Sequence, residues 1–291
     1  SDVKYSEQVY QEAVQKLTKL LKRFGYKTSQ TDFIPVSAWF GDNLVNKSGK
    51  MSWYKGRTLL EAIDHLEKPE PSVTTPYAAL RIPIADIYRI SGIGTVVVGK
   101  VQQGTLLPGM QVDVFPKYLT ENDITVNSIE MDHCSFETAG PGEYVGINLK
   151  GVRNHQQRKG SVIGPVNDPP RAAKSFVAKL IIVSHPTIIR SGYTPMLHCH
   201  TGFVQCKWSI LLKKIHRQTS KVQEEYPYSL KEGDAALVEM HPSREIFVES
   251  FAECPALSRF CISDMRRIIA VGVIESVEYA YSVAGRLTKA A

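Results

Sequence analysis

The chain has 291 residues, of which 43% are hydrophobic and 22% charged, with a formal net charge of +6. That length exceeds one ordinary core and predicts two or three domains, and the composition is that of a soluble globular protein rather than a disordered or fibrous one. The mild positive excess permits a polyanionic partner without demanding one.

Residues 5–25 read as a helix. Val9, Tyr10, Ala13, Val14, Leu17, Leu20, Leu21 and Phe24 recur at spacings of three and four, Ser6 can cap the start, and Gly25 ends it. Residues 33–39 form a short apolar run that reads as a buried strand, residues 40–52 are a polar loop, and residues 58–66 read as a second helix. Helix, strand and helix together predict the closing piece of an α/β domain over residues 1–71, or a small α/β cap in its own right. Pro69, Pro71 and Pro76 make residues 68–76 a linker, because proline lacks an N–H and suits neither helix nor central strand.

Beyond the linker the periodicity changes to two. Over residues 81–104, Ile82, Ile84 and Ile87 are expected on one face of a strand, a turn at Ser91-Gly92-Ile93-Gly94 reverses the chain, and Val96, Val97 and Val98 continue as its β-branched partner. Further strands are predicted at 111–115, 125–131 and 144–149, punctuated by Pro108-Gly109, Gly140-Pro141-Gly142 and Lys159-Gly160. This β unit spans 72–170. A second, over 171–291, has predicted strands at 176–184, 196–199, 203–211, 235–240, 246–251 and 268–279. Pattern alone gives two consecutive all-β barrels or sandwiches, so the fold class is mainly β, preceded by a short α/β piece.

The wording is more specific than the pattern. Pro83-Ile84-Ala85-Asp86-Ile87-Tyr88-Arg89-Ile90-Ser91-Gly92-Ile93-Gly94-Thr95 resembles the first strands of domain 2 in eukaryotic translation elongation factor 1 alpha and the elongation-factor-like proteins, relatives of bacterial elongation factor Tu. The segments Leu180-Ile181-Ile182-Val183-Ser184-His185-Pro186, His198-Cys199-His200-Thr201 and residues 266–274 are similar to the family's third domain. Ser37-Ala38-Trp39, Trp53-Tyr54-Lys55-Gly56 and Leu59-Leu60-Glu61-Ala62 are similar to the last part of its GTPase domain. The resemblance covers nearly the whole chain. Lys55-Gly56-Arg57 runs directly to Leu59-Leu60 without the insertion of animal and fungal forms, which keeps the elongation-factor-like group open.

The resemblance implies a parent protein that uses GTP and magnesium to deliver aminoacyl-tRNA to the ribosome, with a guanine-nucleotide exchange factor as a further partner. It implies that Glu130 packs against the terminal adenosine of transfer RNA, that His133 stands where bacterial relatives have an arginine, and that Asp86 and Tyr88 line the same pocket. Tyr144 stands where bacterial relatives have an asparagine, which changes how an amino group would be met. Lys159 is implied at the 5′ phosphate end, and Arg244, Arg267 and Thr201 at the T-stem backbone. Ser37, Ala38 and Trp39 correspond to the loop beside the guanine base. Such a division suits a carrier that accepts many RNAs, since phosphate contacts position RNA and single-stranded ends are read by stacking and base-edge bonds.

Several absences matter as much. No G-x-x-x-x-G-K-[ST] stretch, D-x-x-G or N-K-x-D stands in the sequence, so no nucleotide cofactor is expected to bind this chain and no catalysis by it is expected. Five cysteines without a C-x-x-C pair argue against a disulfide framework or a cysteine zinc site. In His198-Cys199-His200 the two histidines would share one strand face with Cys199 opposite, which reads as structure and not as a metal site. Without an apolar leader or a membrane-length apolar run, a cytoplasmic location and no membrane partner are expected. Two alternatives to the carrier stay open: a release- or rescue-factor relative, and a non-catalytic scaffold acting on actin filaments.

Overall fold

A computed structural model describes residues 3–23, 26–67, 78–115, 124–132, 134–152 and 159–280. The chain divides into two compact units, Ser1–Glu70 and Pro71–Ala291.

In the first unit helix α1, Glu7–Arg23, is fastened through aromatic side chains. The Tyr10 hydroxyl donates to the Phe33 carbonyl at 2.8 Å, the Trp53 indole donates to the Tyr5 carbonyl at 3.1 Å, and the rings of Tyr10 and Trp53 lie 5.2 Å apart. Helix α2, Leu59–Asp64, starts on a capping box: the Thr58 hydroxyl accepts from the Glu61 amide, and the Glu61 carboxylate accepts from the Thr58 amide at 2.8 Å. The strand expected at 33–39 does not form. Its only pairing among the described residues is a single bridge between Ser37 and Asp42, and its side chains are half-buried or exposed. A strand is stable only when a neighbour takes its backbone donors and acceptors, and among the described residues of this unit no second strand stands beside it. The segment is held instead as a turn, with Asp42 accepting from the hydroxyls of Tyr5 and Ser48 at 2.7 Å each.

The second unit contains two closed barrels. The first is built from β1 (Ile82–Ile90), β2 (Gly94–Lys100), β3 (Gln111–Phe115), β4 (Ile124–Met131), β6 (Tyr144–Lys150) and β7 (Val162–Pro165). Its ring order is β3-β7-β1-β2-β6-β4, closed by pairing of β4 with β3, and β5 (Cys134–Phe136) adds an edge to β4. Closure removes free strand edges and lets the inward residues of every strand share one core. That core includes Ile82, Ile84, Val97, Val112, Ile129 and Ile147.

The second barrel is built from β8 (Ala173–Ile182), β9 (Met196–Cys199), β10 (Gly202–Ile215), β12 (Ala235–Pro242), β13 (Arg259–Asp264) and β14 (Arg267–Tyr279). Its ring order is β10-β12-β8-β14-β13-β9, closed by β9 on β10, with β11 (Val222–Glu225) as an appended edge. Trp208, Phe176, Leu180 and Ile262 fill it. The strand expected at 246–251 is replaced by β13. Residues 246–250 are buried but make only one bridge, Phe247 with Ala172: Phe247 packs with Val162, Phe115 and Leu257, while Ile246 and Val248 face the core of the second barrel.

The two barrels also share a buried ion pair. The Arg81 guanidinium, nearly enclosed, donates to the Glu249 carboxylate and to the Asp168 carbonyl at 2.9 Å.

Candidate nucleic-acid interface

The first barrel presents its candidate residues on one outer face because of a β-bulge. Ile84 pairs with Gly99 and Asp86 with Val98, so two steps on β1 meet one on β2 and Ala85 is the extra residue. Strict alternation would have turned Asp86 inward after Ile82 and Ile84. The bulge reverses the parity: Ile87 returns to the core side, and Asp86 and Tyr88 point outward.

Register then carries Asp86 across the sheet. It pairs with Val98, Val98 pairs with Gly146, and Gly146 pairs with Glu130. Residues directly opposite on neighbouring strands share a face, so Asp86 and Glu130 stand at the two ends of a row whose floor is Val98 and Gly146. Three strand spacings separate them, about 14 Å along the sheet. In the next row Tyr88 pairs with Val96 and Val96 with Asn148, while Tyr144, 57% exposed and opposite Lys100, flanks Gly146 from the same strand. Asp86, Tyr88, Glu130 and Tyr144 are thus brought to one face. His133 lies outside the described residues.

Asp86 has an ordered environment. Its carboxylate accepts from the Ile87 amide at 3.0 Å and from Lys159 Nζ at 3.2 Å, with the Tyr88 hydroxyl at 3.4 Å. The Ile87 amide, then the Lys159 ammonium, hold the carboxyl below its ordinary range.

Lys159 also borders a cleft of about 320 Å³ between the barrels, lined by Gly160 and Ser161 on one side and Gly202, Phe203, Arg244, Glu245, Ile246 and Phe247 on the other. Glycine is required where the two sides meet. Gly160 has φ +90°, and a Cβ there would lie 3.0 Å from the Gly202 Cα. Arg244 donates to the Phe203 carbonyl at 2.9 Å and lies over the Phe203 ring, 5.5 Å from its centroid. Thr201 precedes Gly202, and its carbonyl lies 3.8 Å from that same Cβ position. Lys159 and Arg244 therefore border one cleft, which Thr201 adjoins through its backbone.

Arg267 does not join them. It pairs with Asp264 at the β13–β14 turn, beyond the Ser263–Met196 pair, whereas Thr201 follows the opposite end of β9, where Cys199 pairs with Phe260.

The remaining candidates separate cleanly. Ser37, Ala38 and Trp39 occupy the Asp42-anchored turn of the first unit, with Trp39 90% exposed. His198 and His200 do not share a strand face. His200 sits just past β9 at φ +44° with its Nε2 against the Phe247 carbonyl at 2.9 Å, and His198 Nε2 meets the Ser263 hydroxyl at 2.7 Å. Burial pushes the His200 pKa down to about 4, so the neutral ring donates Nε2–H to that carbonyl. Burial raises the Cys199 and Cys206 thiols to about 12, which makes them inert packing groups. Among the described residues no group of three or more His, Cys, Asp or Glu could hold a metal ion, and no helix is long and apolar enough to cross a membrane.

Three features escaped the sequence reading: the floor made by Val98 and Gly146, the contact of Lys159 with Asp86, and the stacking of Arg244 on Phe203. The first left a trace, because the odd spacing from Ile84 to Ile87 on one strand face requires a bulge.

Residues 94–164 match the family model described as elongation factor Tu domain 2, and residues 175–275 the model described as GTP-eEF1A C-terminal domain-like. A protein named elongation factor 1-alpha from Eimeria bovis is 43% identical over 289 residues, covering 99% of this chain and 82% of that relative. Its namesake from Aspergillus oryzae is 42% identical over 301 residues, and the chain spans 64% of its length. Among solved structures, Sup35 complexed with GDP is similar with a TM-score of 0.64 and 26% identity over 94% of this chain and 66% of that one.

Proposed function

Given that this chain belongs to the elongation factor 1-alpha family, we propose that its two barrels hold aminoacyl-tRNA for delivery to the ribosome. The observation that carries the proposal is the bulge at Ala85, which sets Asp86 in register with Glu130 and puts Tyr88 in the adjacent row of the same outer face, beside the Lys159–Arg244 cleft. In this reading Glu130 meets the terminal adenosine, Tyr88 and Tyr144 offer ring faces and hydroxyls to an unstacked end, and Asp86 faces the aminoacyl group. Lys159, Arg244 and Thr201 take backbone phosphates near the acceptor stem, and Arg267, standing apart, meets the RNA further along. The barrels act as domains over 72–170 and 171–291. An exchange factor and the ribosome are the further partners that the family reading supplies.

GTP belongs in this proposal to the larger protein. No G-x-x-x-x-G-K-[ST] stretch stands in this sequence, and the Ser37–Trp39 turn leaves its indole 90% exposed. A lone exposed indole without that motif is a poor fit to a nucleotide, so no step is assigned to one.

The salt dependence of tRNA binding tests the proposal. Arg244→Ala is expected to weaken charged and uncharged tRNA alike and to reduce the slope of log K against log salt by about one, the signature of one lost phosphate contact. A slope identical to that of the unaltered chain would remove Arg244 from the interface. Equal affinity of the unaltered chain for charged and uncharged tRNA would favour a scaffold role over a carrier.

A further inference from the structure

Lys159 belongs to two sites at once. It borders the inter-barrel cleft, and its ammonium lies 3.2 Å from the Asp86 carboxylate on the outer face of the first barrel. Both side chains are substantially exposed, 62% for Lys159 and 40% for Asp86, so either can exchange its partner for a ligand group without rearrangement of the core. We propose that this ion pair couples the two subsites: a phosphate that takes Lys159 releases Asp86, and the freed carboxylate then holds the α-ammonium of an amino acid esterified to the RNA end. The inference rests on the carrier reading above and adds a positioning role that neither residue has alone.

The chemistry follows from counting charges. Without ligand, the single positive charge of Lys159 serves Asp86. A phosphate in the cleft is a better partner for an ammonium, since it offers several anionic oxygens and releases counterions from the RNA. Once it binds, Asp86 keeps the Ile87 amide and the Tyr88 hydroxyl, and among the described residues no second cation is paired with it. An aminoacylated end brings one, and an uncharged end does not. Position supports the assignment. Asp86 and Glu130 terminate one row over the Val98–Gly146 floor, and the roughly 14 Å of three strand spacings suits an adenosine at one end with its 3′-linked amino acid reaching the other. Tyr144 stands beside that floor as a ring and a hydroxyl, so a carboxylate from β1 is the anionic partner available on the Lys159 side of the row.

By reciprocity the two ligands must help each other by the same factor. An exposed ion pair is worth little, so the factor is modest, about two- to five-fold.

The test uses two separate probes on the whole chain. One is a 5′-phosphorylated RNA duplex of acceptor-stem length, with its 5′-hydroxyl form as control. The other is 3′-phenylalanylamido-3′-deoxyadenosine, whose α-ammonium is free, with its N-acetyl form as control. Titrations by nuclear magnetic resonance are expected to show that the phosphorylated duplex tightens the free-ammonium probe about two- to five-fold and leaves the acetylated one unchanged. Lys159→Met should tighten the ammonium probe by a similar factor without any duplex and abolish the coupling. Asp86→Asn should weaken that probe, tighten the duplex and abolish the coupling too. If both probes bind but their affinities are independent, or if Lys159→Met leaves the ammonium probe unchanged or weaker, the coupling is wrong while the carrier reading stands. If neither probe binds, both fall.

Discussion

Arg81 of the first barrel and Glu249 of the second form an ion pair with both side chains almost wholly buried, and Arg81 reaches on to the Asp168 carbonyl. Burial raises the Glu249 carboxyl above its ordinary range despite the opposing pull of Arg81, so desolvation outweighs attraction at this site. Such a pair contributes little net stability, yet it is costly to break. Arg81→Ala should lower stability to denaturant by about 3–5 kcal/mol by stranding the carboxylate, whereas the double change Arg81→Met with Glu249→Leu should recover most of that loss. Equal losses in the single and double variants would show that shape, not charge, matters here.

Stability should fall with acid over a defined window. His200 has an ordinary pKa near 6.5 when unfolded and about 4 when folded, so below the first value the unfolded chain binds the extra proton more readily. The contribution is fully present above pH 6.5 and is lost as pH falls towards 4, by about 3 kcal/mol in all. His200→Gln keeps a donor for the Phe247 carbonyl and removes the titration, so urea midpoints measured across this window should flatten in the variant. An unchanged slope would place the acid sensitivity elsewhere.

Local protection should differ sharply between the units. Helix α1 has most of its side chains exposed, including Leu17 and Leu20, whereas Val97 in β2 is buried and paired on both sides by β1 and β6. Amide hydrogens of α1 are expected to exchange faster than those of residues 96–101. Equal rates would mean that the helix draws stability from contacts beyond its aromatic fastening.

The junction at Gly160 should tolerate no side chain. A Cβ at φ +90° is strained by about 1–2 kcal/mol and would also press on the Gly202 backbone. Gly160→Ala should widen the cleft and weaken RNA binding with a smaller change in melting temperature than Arg81→Ala produces. Unaltered RNA affinity would separate the cleft from binding.

Much of this was legible in the sequence, and the physical reason differs from part to part. The hairpin of β1 and β2 announces itself through alternation and paired glycines, and Ile82 and Ile84 are fully enclosed as their spacing implies. The segment at 246–251 reads as a strand because Ile246 and Val248 do turn alternately into the second barrel's core, yet its backbone makes one bridge and no ladder, while β13 carries only Phe260 and Ile262 inward and so has a weak pattern. A lone apolar run at 33–39 cannot show whether a partner strand exists. The pairing of Lys159 with Asp86 joins residues 73 positions apart, and no local pattern encodes a meeting that depends on both the bulge and the closing of the ring.

The central claim is that the outer face of the first barrel reads the aminoacylated end of tRNA, and Glu130→Ala tests it most directly. Affinities for the same tRNA, aminoacylated and deacylated, are measured for both chains at fixed salt. The unaltered chain should prefer the aminoacylated form, and the variant should lose about 1–3 kcal/mol of binding to the 3′ end with its salt slope unchanged. Affinities for both forms that stay unchanged in Glu130→Ala, or a preference for the aminoacylated form that the unaltered chain never shows, would contradict the account.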